Sequence, residues 1–215
     1  MTTPRLFHVG LMIALIAVSG VAVAAGSGSK KVKGVAPSAE KAVPLAVGQS
    51  LPDVKVTTEE GKSVKLSKAL EGKPAAIVFY RGHWCPYCMK HLAGLKEIAG
   101  ELDALGVNLV AITPDKSEYI AEAKAKADLS IDIYSDGKLD AAKAMGVAYQ
   151  MDPDMAERYK KHLVESTGHD TGQLPLPSVF LTDAAGKITW VFSNPDFKVR
   201  LSNEEFLAAV KKAQG

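Results

Sequence analysis

The spacing of apolar residues changes along the chain, and each change marks an element. Ala75-Ala76-Ile77-Val78-Phe79-Tyr80 and the run at 107–113 are short, apolar and rich in β-branched and aromatic residues, which predicts buried strands. Between them, residues 88–105 return apolar side chains every three or four positions and predict a helix. Upstream, 54–57 and 63–66 flank Glu59-Glu60-Gly61-Lys62, the pattern of a hairpin. Downstream come a helix at 117–127 with Ser117 as N-cap, a strand at 131–134, and a helix at 138–145 closed by Gly146. Asp152-Pro153 supplies a cap and a first-turn proline for a helix running to about residue 164. Strands at 178–182 and 187–192 turn about Ala184-Ala185-Gly186, and 203–212 is a closing helix. This order predicts an α/β fold: one mixed central sheet flanked by helices, with an N-terminal β-hairpin, in a single domain over 45–215.

The first 44 residues read differently. Arg5 precedes an apolar run at 9–23 that ends in Ala22-Val23-Ala24-Ala25, small residues that suit a signal peptidase. That run is shorter than the roughly 20 residues a spanning helix needs. Residues 1–25 are therefore expected to be a cleaved signal peptide, with no stable membrane insertion afterwards and export to a bacterial periplasm. Residues 26–44 open with Gly26-Ser27-Gly28-Ser29, carry three lysines in 30–33, and read as a flexible linker. Across the 215 residues, 47% apolar and 23% charged positions suffice for one core. A net charge of +2, with no basic stripe between aromatics, excludes nucleic acid as a partner.

The chain's two cysteines fall together in Trp84-Cys85-Pro86-Tyr87-Cys88, between a predicted strand and a predicted helix. Cys85 would face the unpaired N–H groups of the helix's first turn, where negative charge is favoured and thiolate gains over thiol. An inert structural disulfide would close too small a loop to constrain the unfolded chain. A zinc site lacks a second cysteine pair and paired histidines. A redox pair remains, with Cys85 ionised near neutral pH and within reach of solvent. Arg81 and His83 are the nearest cations, and Trp84, Tyr87 and Tyr80 would surround the sulfurs, Tyr80 as core. If the strand from Ser178 lies beside that from Ala75, Pro177 approaches Cys85. A cis bond there would present the Leu176 backbone as an edge for an extended substrate; otherwise Pro175 and Pro177 only stiffen a loop. His162 and His169 lie near a Gly-containing loop at 166–173 that is either a lid or plain surface.

Four stretches carry a family resemblance: Phe79 to Cys88, the strand at 107–113, Tyr134-Ser135-Asp136 with Ala144-Met145-Gly146-Val147, and Pro177-Ser178-Val179-Phe180-Leu181-Thr182-Asp183 with Gly186-Lys187. In order and spacing the chain resembles the thioredoxin-fold superfamily, and within it the peroxiredoxin-like alkyl hydroperoxide reductase/thiol-specific antioxidant group. The resemblance implies a thioredoxin fold, puts Cys85 at the nucleophile's position and Pro177 at the cis-proline position. Two departures stand out. The Thr that positions peroxide in peroxiredoxins is absent from Tyr80-Arg81-Gly82-His83-Trp84, and Pro177 replaces a later Arg, leaving Arg81 or Arg200 to substitute.

Three functions follow from these residues. In a thiol peroxidase, Cys85 attacks a hydroperoxide, Cys88 resolves the sulfenic acid, and a thioredoxin-like or other thiol donor restores both. In a thiol-disulfide oxidoreductase the same residues act on a disulfide. In a copper or zinc carrier, both thiolates would join a distant His such as His169. Neither catalytic reading implies a cofactor or a resident metal.

Overall fold

The computed structural model describes residues 34–214. The central sheet has seven strands in the order β2-β1-β5-β4-β3-β8-β9. These are β1 (Lys55–Thr57), β2 (Ser63–Lys65), β3 (Ala75–Phe79), β4 (Asn108–Thr113), β5 (Asp132–Ser135), β8 (Ser178–Thr182) and β9 (Ile188–Ser193). The helices are α1 (Leu66–Ala69), α2 (Pro86–Ala104), α3 (Ser117–Ala127), α4 (Asp140–Ala144), α5 (Pro153–Thr167) and α6 (Asn203–Gln214). β3 runs parallel to β4 and antiparallel to β8, with Ile77 opposite Val110 and Phe180, so the sheet is mixed. The β1–β2 hairpin joins through Thr57 opposite Ser135 on β5.

The alternation of β3 divides the core in two. Ala75, Ile77 and Phe79 face one cluster, built with α1, α4 and Leu163 of α5; Ala76, Val78 and Tyr80 face another, built with α2, α3 and α6. All five β3 residues are buried, which explains the unbroken apolar run.

Four details differ from the sequence reading. Two short strands, β6 (Ala148–Gln150) and β7 (Gln173–Pro175), form a separate antiparallel pair. Three residues each are too few to show a period, and Pro175 disguises the second. Lys116, not Ser117, caps α3; the Ser117 hydroxyl instead donates to Thr58 O at 2.9 Å and ties the hairpin turn to the helix. The described half of the expected linker, 34–44, packs on the core rather than waving free. Ala36 N–H donates to Ala148 O and Gln150 N–H to Ala36 O, both at 2.8 Å, and a 3₁₀ turn follows at Ala39–Lys41. Val35, Ala36, Ala39 and Ala42 pack against the core, apolar positions that the Gly, Ser and Lys of 26–33 outweigh in the average. The segment expected to be a signal peptide, 1–25, lies outside the described residues. Finally, no peptide bond among the described residues is cis, Pro177 included. No helix among them is long and apolar enough to cross a membrane.

Gly146 ends α4's turn at φ +73°, and a Cβ there would run into the Val43 carbonyl. Gly146→Ala should therefore lower stability by about 2 kcal/mol and loosen the 34–45 segment, read as a lower urea midpoint and faster proteolysis ahead of Leu45.

Candidate active site

Cys85 occupies the N-cap of α2, with Pro86 at the first helical position. Its carbonyl accepts the N–H groups of Cys88 and Met89, both at 3.0 Å, and its own N–H donates to Gly82 O at 3.1 Å. Strand, tight turn and helix start thus place Cys85 and Cys88 one helical turn apart, against the tip of β3. Both are free thiols.

The two sulfurs are driven in opposite directions. Cys85 falls from an ordinary value of 9.0 to about 6, and the Cys88 thiol, hydrogen-bonding towards it, is the largest cause. Burial opposes the fall; the Arg81 guanidinium, the Cys88 N–H and Arg200 support it in decreasing order. Cys88 is pushed well above its usual value by burial and by keeping the proton it shares with Cys85. Arg200 Nη2 approaches Cys88 Sγ at 3.6 Å. The helix end contributes less than the sequence implied: its share comes through the Cys88 N–H, behind the Cys88 thiol and Arg81. A neighbouring thiol and a buried arginine do most of it.

Arg81 is the unusual group. It follows Tyr80 off the end of β3 and returns to the Phe79 side of the sheet, wholly buried. Among the described residues no carboxylate pairs with it, and Nε and Nη1 reach no hydrogen-bond partner. Its guanidinium sits 4.0 Å from the Phe197 ring centroid, 4.9 Å from Tyr159 and 5.0 Å from Trp84, with Met151 Sδ 3.9 Å from Nη2. This burial leaves Arg81 no part in a surface ion pair.

Other expected residues divide. Trp84 forms part of the Arg81 cage, meets Tyr159 at a tilt at 5.0 Å and stacks on His162 at 5.7 Å. Tyr87 is 43% exposed and meets Phe197 edge-on at 5.8 Å. His83 turns away: its N–H donates to Asp115 Oδ2 at 2.7 Å, its ring stacks on Tyr119, and it plays no part in the Cys85 shift. Tyr80 is core, as expected. Leu176 offers no edge, because it is buried and its N–H donates to Val147 O at 2.7 Å. Its carbonyl accepts the Ser178 hydroxyl at 2.9 Å, so Leu176 presents no free backbone edge to an extended substrate, and Pro177 after it is trans. His169 is exposed on its loop. Among the described residues no group of three or more His, Cys, Asp or Glu could hold a metal ion. Cover over the site comes from α5 and from 194–202, which carries Phe197 and Arg200, rather than from 166–173. The sequence reading named Arg200 but missed Phe197, Tyr159 and Met151, which belong to three separate segments and share no motif.

One expectation fails outright: Cys85 is 1% exposed. Trp84 packs against the cluster that holds it, and a substrate reaches the sulfur only after a covering side chain moves.

Two outcomes follow. Arg81→Met removes a cation that favours the thiolate, and alkylation of Cys85 by iodoacetamide at pH 6.5 should slow by about 3-fold, the loss of thiolate that follows a rise on the order of one pH unit. Reduced protein should gain stability as pH rises from 6 to about 8.5, because there the unfolded chain holds the Cys85 proton and the folded chain does not. Above that range Cys88 reverses the sign, its folded thiol keeping a proton that the unfolded one loses. Urea midpoints of the reduced protein against pH, with Cys85→Ser as reference, check both limbs.

Comparison with known proteins agrees with this geometry. The AhpC/TSA family profile matches residues 47–191. A putative peroxiredoxin bcp of Haemophilus influenzae is 33% identical over 104 residues, covering 48% of this chain and 66% of that protein, just under two thirds of its length. The thiol-disulfide oxidoreductase ResA of Bacillus thuringiensis is 25% identical over 167 residues, 77% of this chain and 79% of that one. The crystal structure of peroxidoxin BcpB from Mycobacterium tuberculosis superposes with a TM-score of 0.61 at 19% identity, over 79% of this chain and 97% of that one, a likeness of fold. The sheet order and the strand–cysteine–helix junction are those of the thioredoxin fold that the sequence resembled. With the matched span covering most of the chain and both cysteines, this protein belongs to the AhpC/TSA family.

Proposed function

We propose that the protein is an exported thiol-dependent peroxidase with Cys85 as nucleophile and Cys88 as resolving thiol. The observation that carries this is the buried Arg81: a cation with no carboxylate partner among the described residues, acting on a cysteine whose ionisation falls to about pH 6. Export rests on the leader-like pattern of 1–25 alone.

The steps balance as follows. The Cys85 thiolate attacks the terminal oxygen of a hydroperoxide ROOH; the O–O bond breaks, sulfur takes the OH as sulfenic acid, and the alkoxide leaves as ROH after taking a proton. The Cys88 thiol then attacks the Cys85 sulfur, water departs, and a disulfide forms. A dithiol donor returns both sulfurs to thiols and is itself oxidised. Arg200 beside Cys88 favours the thiolate Cys88 becomes during resolution. Arg81 carries two free donors, Nε and Nη1, where peroxiredoxins would use the missing Thr and the Arg replaced by Pro177.

Disulfide exchange has less support, despite the likeness to ResA. The backbone edge it would use at Leu176 is already bonded to Val147. The metal-carrier reading lacks a third ligand among the described residues.

Single-turnover peroxide reduction by the reduced protein should rise with pH to half its plateau near pH 6, following Cys85 ionisation. Cys85→Ser should consume no peroxide. Cys88→Ser should complete one turnover and accumulate a sulfenic acid that dimedone traps. Peroxide consumption by Cys85→Ser would overturn the assignment.

A further inference from the structure

A second charged side chain is buried beside the catalytic turn. Asp115, two residues past β4, is wholly buried, and among the described residues no lysine or arginine pairs with it. Its Oδ2 accepts the His83 N–H at 2.7 Å and faces His83 Nδ1 at 3.3 Å. Its Oδ1 has no hydrogen-bond partner among the described residues. Two buried donors are left over in the same way. One is the Trp84 indole Nε1, which with Asp115 Oδ1 closes on the place a Gly82 Cβ would take; the other is the Tyr80 hydroxyl. Unpaired buried polar atoms are costly and uncommon, and here they gather at the turn that carries Cys85.

Cys88 holds a proton that disulfide formation must remove. It is 1% exposed, and burial holds its thiol well above the usual value. Arg200, 3.6 Å from the sulfur, answers the charge left behind, but a guanidinium accepts no proton. Tyr80 shares the cluster that holds Cys88. Burial first, then Asp115, then Cys88 push its phenol well above the usual value, so it lies in electrostatic reach of both and keeps its proton. Beyond Asp115, the His83 ring is 11% exposed, stacks on Tyr119 and sets Nε2 3.9 Å from Glu122 of α3. Glu122 is a surface residue whose other oxygen pairs with Lys126. His91, one turn after Cys88, also has a buried Nε2 with no partner among the described residues. Burial and the Arg200 charge disfavour a proton there and lower it to about 4.

We propose that Asp115 is the proton acceptor for Cys88 during disulfide formation, reached through the Tyr80 hydroxyl and joined to solvent by His83. The proposal rests on the peroxidase reading and deepens its second step. As the Cys88 sulfur bonds to the Cys85 sulfur, the S–O bond of the sulfenic acid breaks; Cys88 is oxidised and the sulfenic sulfur reduced. The thiol proton goes to the Tyr80 oxygen, and the phenol proton goes to Asp115. Hydroxide leaves and takes a proton from solvent as water, while Asp115 returns its proton to solvent through His83. Asp115 and His83 act through Tyr80 and are positioning residues for this transfer.

The test follows full-length reduced protein after mixing with hydrogen peroxide, by quenched flow and mass. Two rates are read: sulfenic acid formation, which rises with peroxide concentration, and disulfide formation, which does not. Their ratio cancels any shared loss from misfolding. Asp115→Asn keeps an oxygen for the His83 N–H and should lower the ratio of disulfide to sulfenic acid formation by about tenfold or more. Tyr80→Phe should do the same, and carries the test alone if Asp115→Asn does not fold. The double variant should be no slower than the slower single, because both interrupt one path. His91→Phe should leave the ratio unchanged. A wild-type ratio in both Asp115→Asn and Tyr80→Phe, losses that multiply in the double variant, or a loss confined to His91→Phe would overturn the relay. Wild-type protein that forms no sulfenic acid would refute the peroxidase reading, and the relay would fall with it.

Discussion

A guanidinium with no carboxylate partner among the described residues, sealed from water, is the constraint around which this structure is arranged. Burying an unpaired ion costs several kcal/mol even after relaxation. The faces of Phe197, Tyr159 and Trp84 recover part of that, at about 0.5–2 kcal/mol for each desolvated cation–π pair. The anion that answers Arg81 is the Cys85 thiolate, whose ionisation the arginine favours. Each charge makes the other tolerable. Oxidation of Cys85 removes the anion and strands the cation, so the arrangement favours the reduced, reactive state.

The sheet makes the pairing possible. Successive residues at the end of β3 diverge, with Tyr80 entering the cluster that holds both cysteines and Arg81 the opposite one. The Gly82–Cys85 turn then lays the cysteine over the arginine. Distant segments complete the enclosure: Met151 beyond β6, Tyr159 and His162 from α5, and Phe197 and Arg200 from the strap after β9. Gly82 has its own part, since a Cβ there would crowd the Trp84 indole and sit 2.9 Å from Asp115 Oδ1.

Elements with a clear period were legible in the sequence. The β3 run, the α2 periodicity and the Asp152-Pro153 cap all stand where they were read, the cap accepting N–H groups from Asp154 and Met155. The cysteine pair announced the chemistry through spacing and its place between strand and helix. What stayed hidden is non-local. Arg81 was legible as a cation near Cys85, but not its burial among three aromatics that converge on it from elsewhere. Leu176 reads as a free edge until β6, three residues long, bonds beside it. Apolar positions at Val35, Ala36, Ala39 and Ala42 were outweighed by the Gly, Ser and Lys just before them, so an ordered segment read as linker.

The central claim is that Cys85 carries a negative charge near neutral pH because Cys88 and Arg81 stabilise it. Ultraviolet titration of the reduced protein, following thiolate absorbance near 240 nm, reads that charge directly. The account predicts one thiolate appearing with a midpoint near pH 6 and the second only far above it. A spectrum with no thiolate until pH 8 would contradict it.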